Sequence, residues 1–322
     1  MSLRTPVLFI IFNRPDTTDR VFEAIRESRP NYLFIAADGP RDAVASDRKQ
    51  CEEARRIVAK VDWECNVKTL FQESNLGCYY GPATAIRWFF ENVEQGIILE
   101  DDCLPDQSFF RYCEELLDYY HDDNRIFSIN GCNLGYSGWS ASYCFTTFMN
   151  MWGWATWRRV VDLIDFELLY WERLKFRKLW LHRKLNADNF LKVDILWTQY
   201  WDDKISLLLN GLNTWDYRWI LNQLEHGGFS IVPSNNMVTN IGFGTNSTHT
   251  VDLNHPAAKI KLDSMDFPLT HPLEIKNDIR YLDEIVKVVW CYRYKRLAFG
   301  SILSKMHLKR LLVRTWDILS SR

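Results

Sequence analysis

Residues 97–105 read Ile97-Ile98-Leu99-Glu100-Asp101-Asp102-Cys103-Leu104-Pro105, an apolar run that ends in three consecutive acids. The apolar part has the length of a buried strand, so the three acids would lie together where that strand ends. Adjacent carboxylates repel one another at neutral pH unless positive charge lies among them, and Mg²⁺ and Mn²⁺ prefer carboxylate oxygens. The stretch therefore predicts a divalent-metal site, with a solvated acidic turn as the plain alternative.

Apolar runs of strand length alternate with amphipathic runs of helix length over the first ~130 residues. The sequence predicts strands at residues 7–12, 32–37, 66–71, 96–99 and 126–130. It predicts helices at about residues 16–27, 45–61, 82–94 and 106–120. This spacing is typical of βαβ units, and it predicts an α/β fold with a mainly parallel sheet flanked by helices. Ligands bind beyond the carboxyl ends of such strands, where Asn13-Arg14, Asp38-Gly39 and the three acids would meet.

The second half of the chain lacks this alternation. From about Tyr143 it is rich in aromatic residues and is predicted to be mainly helical, with a short strand near residues 229–232. Because no Pro/Gly/Ser-rich linker separates the halves, we expect one domain over residues 1–272. Residues 1–135 would form its nucleotide-binding part and residues 136–272 its acceptor part. Within the latter, residues 245–273 are predicted to form a long loop, a length typical of functional lids or disorder.

The last segment, residues 273–322, is predicted to be a basic amphipathic helical tail. From Val286 onward it has nine Lys and Arg against one acid, and leucines recur at roughly helical spacing. Such a helix can lie on an anionic membrane, or it can pack on the domain with a solvated basic face. Both readings stay open from the sequence.

Composition excludes several classes of protein. The formal net charge of −2 gives no general attraction to nucleic acid, and no apolar run approaches the ~18 residues of a spanning helix. The eight cysteines lack metal-site spacing and no leader pattern precedes the first strand, so a cytoplasmic protein with reduced thiols is expected. Neither GxxxxGK[ST] nor GxGxxG is present, which argues against P-loop and dinucleotide-binding proteins.

Four segments carry a resemblance to a known family: Phe12-Asn13-Arg14-Pro15, Ala37-Asp38-Gly39-Pro40-Arg41, Asn75-Leu76-Gly77-Cys78 and residues 99–105. In this order they resemble bacterial GT-A glycosyltransferase-like proteins, a group similar to the animal N-acetylglucosaminyltransferase I family. Residues 215–219 and 241–244 are also similar to segments of that family. The resemblance covers roughly residues 6–250 and implies a GT-A fold that binds a nucleotide-sugar donor.

The resemblance also implies roles for the acidic residues. Asp102 would be the direct ligand of Mn²⁺ (or Mg²⁺) that bridges the donor diphosphate. Asp101 would lie near the ribose or the water shell of the metal, and Glu100 near the sugar or in the second shell of the metal. Asp38 would accept the uracil N3–H, and Arg14 would pair with the diphosphate. A simple Asp-Gly turn at Asp38 and a surface charge at Arg14 are the alternatives.

Asp216 is the candidate general base, because an inverting transfer needs a carboxylate to accept the proton of the attacking hydroxyl. A helix N-cap at Asp216 is compatible with that role, and Asp202 and Asp203 are its competitors. On the acceptor side we expect Trp152 or Trp154 to stack on sugar, with the remaining tryptophans as packing.

Two further features belong to the predicted acceptor side. Trp215 flanks Asp216 and would limit the access of water to it. Gly244 belongs to a glycine-rich segment, residues 242–246, that could act as the hinge of a loop closing over bound donor. His249, in the same loop, could then reach the diphosphate, although a loop histidine is more often solvated.

Together these features predict a metal-dependent, inverting glycosyltransferase of the hexosyltransferase type. Its donor would be a UDP-sugar, and its acceptor a cell-surface glycan or lipid-linked oligosaccharide. A cytoplasmic location, with contact to the inner face of the plasma membrane through the tail, would suit such an acceptor. Two alternatives stay open: a sugar nucleotidyltransferase, and a non-catalytic nucleotide- or carbohydrate-binding protein on the same fold.

Overall fold

The first four long strands are apolar runs bounded by polar turns, and they form the parallel part of one sheet. The computed structural model describes residues 2–185, 195–243 and 259–285. The strands are β1 (Val7–Ile11), β2 (Tyr32–Ala37), β3 (Asn66–Phe71) and β4 (Gln95–Glu100), in the order β3-β2-β1-β4. β1, β2 and β4 are largely buried, which explains their almost uninterrupted apolar sequences, whereas β3 is the exposed edge.

The helices that connect these strands are amphipathic and cover the sheet. They are α1 (Pro15–Ser28), α2 (Asp47–Val58), α3 (Gly77–Asn92) and α4 (Gln107–Tyr119). Asp106 begins α4 as an N-cap whose carboxylate accepts the Ser108 N–H. α3 starts five residues before its predicted start, because Pro82 lies inside the helix although a proline usually marks a helix start.

The rest of the described chain adds four strands to this sheet and forms a separate two-stranded sheet, β10-β5. Its strands are β5 (Cys103–Pro105), β6 (Ile126–Asn130), β7 (Tyr143–Thr146), β8 (Trp154–Trp157), β9 (Phe229–Pro233) and β10 (Val238–Asn240). The full order is β3-β2-β1-β4-β8-β6-β9-β7, with β8 antiparallel to both of its neighbours. The prediction of mainly helical sequence after Tyr143 was therefore wrong for β7 and β8. These four-residue buried strands have no polar alternation from which a strand could be recognised.

The remaining helices are α5 (Arg158–Val161), α6 (Leu169–Arg173), α7 (Arg177–Leu185), α8 (Ile195–Leu209), α9 (Asp216–His226) and α10 (Ile279–Ile285). α10 belongs to the predicted tail, and it buries Tyr281 and Leu282. The first part of that tail therefore packs on the domain, while residues 286–322 lie outside the described residues. No helix in the described ranges has the length and apolar character needed to cross a bilayer. The predicted α/β class, a mainly parallel sheet flanked by helices, is confirmed.

Candidate active site

The carboxyl ends of β2, β1 and β4 meet at one edge of the sheet. β1 lies between the other two strands, in parallel pairing with both. Asp38 follows β2, Arg14 follows β1, and Glu100 ends β4 directly before Asp101 and Asp102. The sequence prediction that these polar groups converge at one edge is therefore confirmed, and this edge is the candidate ligand site of the α/β sheet.

Arg14 joins the ends of β1 and β4. Its Nη2 lies 2.8 Å from Oδ1 of Asp101, and its Nη1 lies 2.7 Å from Oδ2 of Asp102. The other oxygen of Asp101 accepts the Phe12 N–H at 3.0 Å, and the Asp101 side chain is only 3% exposed. The Asp102 side chain is 15% exposed. The two acids therefore differ: Asp101 holds the strand ends together, and Asp102 is the more accessible carboxylate.

Glu100 is the unpaired acid of the cluster. No described residue forms a hydrogen bond or an ion pair with its carboxyl group. Burial, followed by the charges of Asp102, Asp101 and Asp216, raises the pKa of Glu100 to about 8 in spite of Arg14. Burial also raises the pKa of Asp101, to about 6, although Arg14 opposes the rise. Three adjacent acids thus lie at one guanidinium, which pairs with only two of them, and this excess of negative charge favours a bound cation.

These residues fit a divalent ion that takes part of its ligands from substrate. Among the residues that the structure describes, no group of three or more His, Cys, Asp or Glu side chains is arranged to hold a metal by itself. Asp102 offers hard carboxylate oxygens, which Mn²⁺ and Mg²⁺ prefer, and the one hydrogen-bond donor to its Oδ1 among the described residues is the weak Sγ–H of Cys103, at 3.4 Å. An ion held by one carboxylate, diphosphate oxygens and water fits this donor set.

Asp216 is the first residue of α9. Its Oδ1 accepts the Thr214 hydroxyl and, at 2.8 Å, the Tyr217 N–H, which fixes the carboxylate. No donor among the described residues reaches Oδ2, so one oxygen is held and the other is open. The Asn213 side chain accepts the Tyr79 N–H at 2.8 Å, which ties the loop before Asp216 to the start of α3, beside Asp38, and the charge of Asp216 also contributes to the raised pKa of Glu100. The sequence reasoning missed Thr214, which a Thr-x-Asp pattern before a helix could have indicated.

The competing acids lie elsewhere. Asp202 pairs with Arg177 at 2.6 Å on α8, and Asp203 accepts a hydrogen bond from Gln199 on the same helix. Neither contacts the acidic edge through any contact the structure records, so Asp216 is the better candidate for a base.

The backbone after β10 approaches the acidic cluster closely. β10 pairs with β5, and the Ile241 N–H donates to the Asp102 carbonyl at 2.7 Å. A Cβ on Gly242 would lie 2.6 Å from both Nη1 of Arg14 and Oδ2 of Asp102, so only glycine fits here. The predicted hinge therefore begins directly against the site. Gly244 and His249 lie outside the described residues.

The aromatic prediction is corrected in part. Trp154 is 1% exposed and Trp215 is 5% exposed, and their stacked rings lie 5.8 Å apart in the core with Trp219 beside them. These two residues pack the domain, and neither is placed to stack on an acceptor sugar. Trp152 is half-buried and meets Phe243 edge-on at 5.7 Å. Of the two tryptophans predicted to border the acceptor, Trp152 is therefore the one near the surface.

The Asp38 carboxylate accepts hydrogen bonds from Gly39 and from residues 75–77 at the start of α3. One oxygen accepts the Gly39 and Leu76 N–H groups, both at 2.8 Å. The other accepts the Gly77 N–H at 3.0 Å and the Asn75 side-chain amide at 2.9 Å. All four lone-pair positions of the carboxylate are thus in use. A contact with the N3–H of uracil would have to displace one of these bonds.

We expect Asp38→Ala to lower the free energy of unfolding by about 1–3 kcal/mol, because it leaves the N–H groups at the start of α3 without acceptors. Urea unfolding measures this change, with the exposed Asp42→Ala as the control that should shift it by less than about 0.5 kcal/mol. Unchanged stability together with lost nucleotide binding would instead make Asp38 a ligand contact.

Comparison with known proteins finds only remote likeness. No protein-family model matches the chain, and no curated protein matches it. Staphylococcus aureus TarS 1-349 is 10% identical with a TM-score of 0.39, over 72% of this chain and 59% of that one. Mouse xyloside xylosyltransferase 1 is 10% identical with a TM-score of 0.33, over 68% and 81% of the two chains.

A UDP-glucose pyrophosphorylase complexed with UDP-glucose is also similar, at 10% identity and a TM-score of 0.30, over 49% of this chain and 78% of that one. The chain thus spans 59% of the length of the TarS fragment that it matches. TM-scores of 0.30 to 0.39 are too low to support any statement about the function of this chain.

Proposed function

We propose that this chain is a metal-dependent, inverting glycosyltransferase of the hexosyltransferase type. It moves a sugar from a nucleotide-diphosphate donor, with uridine as the favoured base, to a hydroxyl of a cell-surface glycan or lipid-linked oligosaccharide. The observation that carries the proposal is the acidic edge, where Glu100, Asp101 and Asp102 lie at the Arg14 guanidinium and Asp216 adds to the charge that acts on Glu100. This edge supplies what such a transfer needs, namely charge for a metal diphosphate and a separate, open carboxylate.

Asp102 is the residue that would hold the ion, since it is the more accessible of the two acids paired with Arg14. When bound, Mn²⁺ or Mg²⁺ would neutralise negative charge on the departing diphosphate. Arg14 lies beside Asp102, so its guanidinium is placed to pair with the diphosphate oxygens as well. Asp101, buried behind it, keeps the arginine in position.

Asp216 would act as the general base. Thr214 and the Tyr217 N–H hold one of its oxygens, which leaves Oδ2 to accept the proton of the acceptor hydroxyl while that oxygen attacks the anomeric carbon. Glu100 has no partner among the described residues, and it would contact the donor sugar. The half-buried Trp152 would border the acceptor.

The test is calorimetric titration of UDP into the protein with and without Mn²⁺. We expect binding that depends on the metal, followed by release of UDP from a UDP-sugar when an acceptor is present. Release of pyrophosphate from UTP and a sugar phosphate would show a nucleotidyltransferase instead. Metal-independent binding of saccharide without turnover would show a binding protein. If UDP does not bind in the presence of Mn²⁺, the uridine donor is wrong.

A further inference from the structure

The segment from α6 to the end of α7 is strongly basic. Residues 172–185 contain six Lys and Arg against one acid, Glu172, in a chain whose formal net charge is −2. The basic residues are Arg173, Lys175, Arg177, Lys178, Arg183 and Lys184. The positive charge is therefore a local property of this segment and needs a local explanation.

The inner side of α7 accounts for half of these charges. α7 buries Leu181 and Leu185, and Arg177 pairs with Asp202 at 2.6 Å. Lys178 lies 3.5 Å from the same carboxylate, and Lys184 donates to the Glu225 carbonyl at 2.8 Å. These contacts fix α7 against α8 and against α9, the helix that begins with Asp216.

The other side of the segment, here called the outer face of α7, is different. It is formed by Arg173, Lys175 and Phe176, which precede the helix, and by Leu179 and Arg183 of α7, all of them exposed. Phe176 is 82% exposed and Leu179 is 69% exposed, and these two apolar side chains lie within three residues of each other among basic residues. Phe176 directly precedes α7, and its carbonyl accepts the Leu179 N–H at 2.9 Å, while Leu179 and Arg183 are four residues apart on the helix and share one side of it. The described residues offer no ion-pair partner to Arg173, Lys175 or Arg183.

We propose that the outer face of α7 docks on an anionic phospholipid surface. Phe176 and Leu179 would enter the boundary between headgroups and acyl chains, and Arg173, Lys175 and Arg183 would contact the lipid phosphates around them. A stable protein partner needs about 800 Å² of complementary surface, far more than two side chains offer. A bilayer needs only a few inserted apolar groups and several cations, which is what this face presents.

This docking surface is separate from the basic tail predicted from Val286 onward, and it does not depend on the proposed reaction. It has a geometric consequence for α9, because α7 is fixed to this helix through the Lys184 contact. Membrane docking through α7 would hold the last turn of α9, which Lys184 contacts, close to the bilayer.

The test is co-sedimentation of the full chain with vesicles. The vesicles contain phosphatidylcholine alone, or equal parts of phosphatidylcholine and phosphatidylglycerol. We expect binding to the anionic vesicles only, weakened by salt because part of the attraction is electrostatic. The double variant Phe176→Asn and Leu179→Ser should bind about tenfold more weakly or worse. Asn suits position 176 because the backbone there has φ of 60°.

A matched control removes two other exposed apolar side chains, through Leu273→Ser and Ile279→Ser, and should bind as the wild type does. The charge-reversed variant Arg173→Glu and Lys175→Glu should lose binding to anionic vesicles without a change in thermal unfolding. Unchanged vesicle binding by the Phe176 and Leu179 variant overturns the proposal and assigns binding to another segment. The proposal is also overturned if sedimentation equilibrium shows that the wild type is a dimer and the Phe176 and Leu179 variant is a monomer. The face would then be a contact between two copies of the chain. UDP binding, measured on the same proteins, reports on the proposed function independently.

Discussion

Asp216→Asn is expected to lower turnover by about 10²–10⁴-fold, the usual contribution of a general base, while UDP binding changes by less than about twofold. The substitution keeps the shape of the side chain. Its amide oxygen can still accept the Thr214 hydroxyl and the Tyr217 N–H, so the start of α9 should stay in place. What disappears is the open carboxylate oxygen that would accept a proton. The loss should therefore appear in kcat and not in donor affinity.

The measurement is UDP release under saturating donor and metal, together with calorimetry on the same variant. Asp203→Asn is the matched control, because it makes the same change on an exposed helix face without touching the site. Thr214→Val should give a smaller loss, since the carboxylate would remain but would no longer be held. If Asp216→Asn retains wild-type turnover, the base is a different group, and Glu100→Gln becomes the next variant to measure.

The sequence was sufficient where a local pattern determines structure. The apolar runs of β1, β2 and β4 are buried on both faces, so their sequences alone indicate parallel strands, and the predicted bounds agree with the structure to within a residue. The convergence of Arg14, Asp38 and residues 100–102 follows from the same rule, because parallel strands end at one edge. These parts depend only on neighbours in the sequence and on sheet topology.

Long-range packing was not predictable in this way. β8 is a four-residue aromatic strand inserted between β4 and β6, and its tryptophans had the composition of a sugar-binding cluster. Whether such a ring faces a ligand or the core depends on which residues pack against it, and for Trp154 these are Trp215 and Trp219.

Two contacts at the site were also unpredictable because they join distant segments of the chain. Arg14 binds two acids that lie 87 and 88 residues further along the chain. Gly242, which is still further along the chain, lies against both Arg14 and Asp102. No local pattern encodes such contacts, because they exist only when distant segments have already come together.

The difference between the two acids beside Arg14 leads to the second large effect. Asp102→Asn should weaken Mn²⁺-dependent UDP binding by about a hundredfold or more, because it replaces a charged metal ligand by a neutral amide. Asp101→Asn should weaken it by less than about tenfold, since that side chain is 3% exposed and is occupied by Arg14 and the Phe12 N–H. Both variants remove one negative charge from adjacent residues. A general electrostatic effect would therefore change both affinities alike, and only direct ligation separates them.

The comparison is made by titrating Mn²⁺ at fixed UDP for the two variants and the wild type, with thermal unfolding of each protein as a control for folding. Equal losses in the two variants would mean that the acidic edge acts through its total charge, with no direct ligand at Asp102. A larger loss in Asp101→Asn with unchanged unfolding would assign the ligand to the buried acid, and would require Arg14 to release it when donor binds. The expected order, with Asp102 far more sensitive, follows from accessibility: a metal held partly by substrate oxygens must meet its carboxylate at the surface that the substrate reaches.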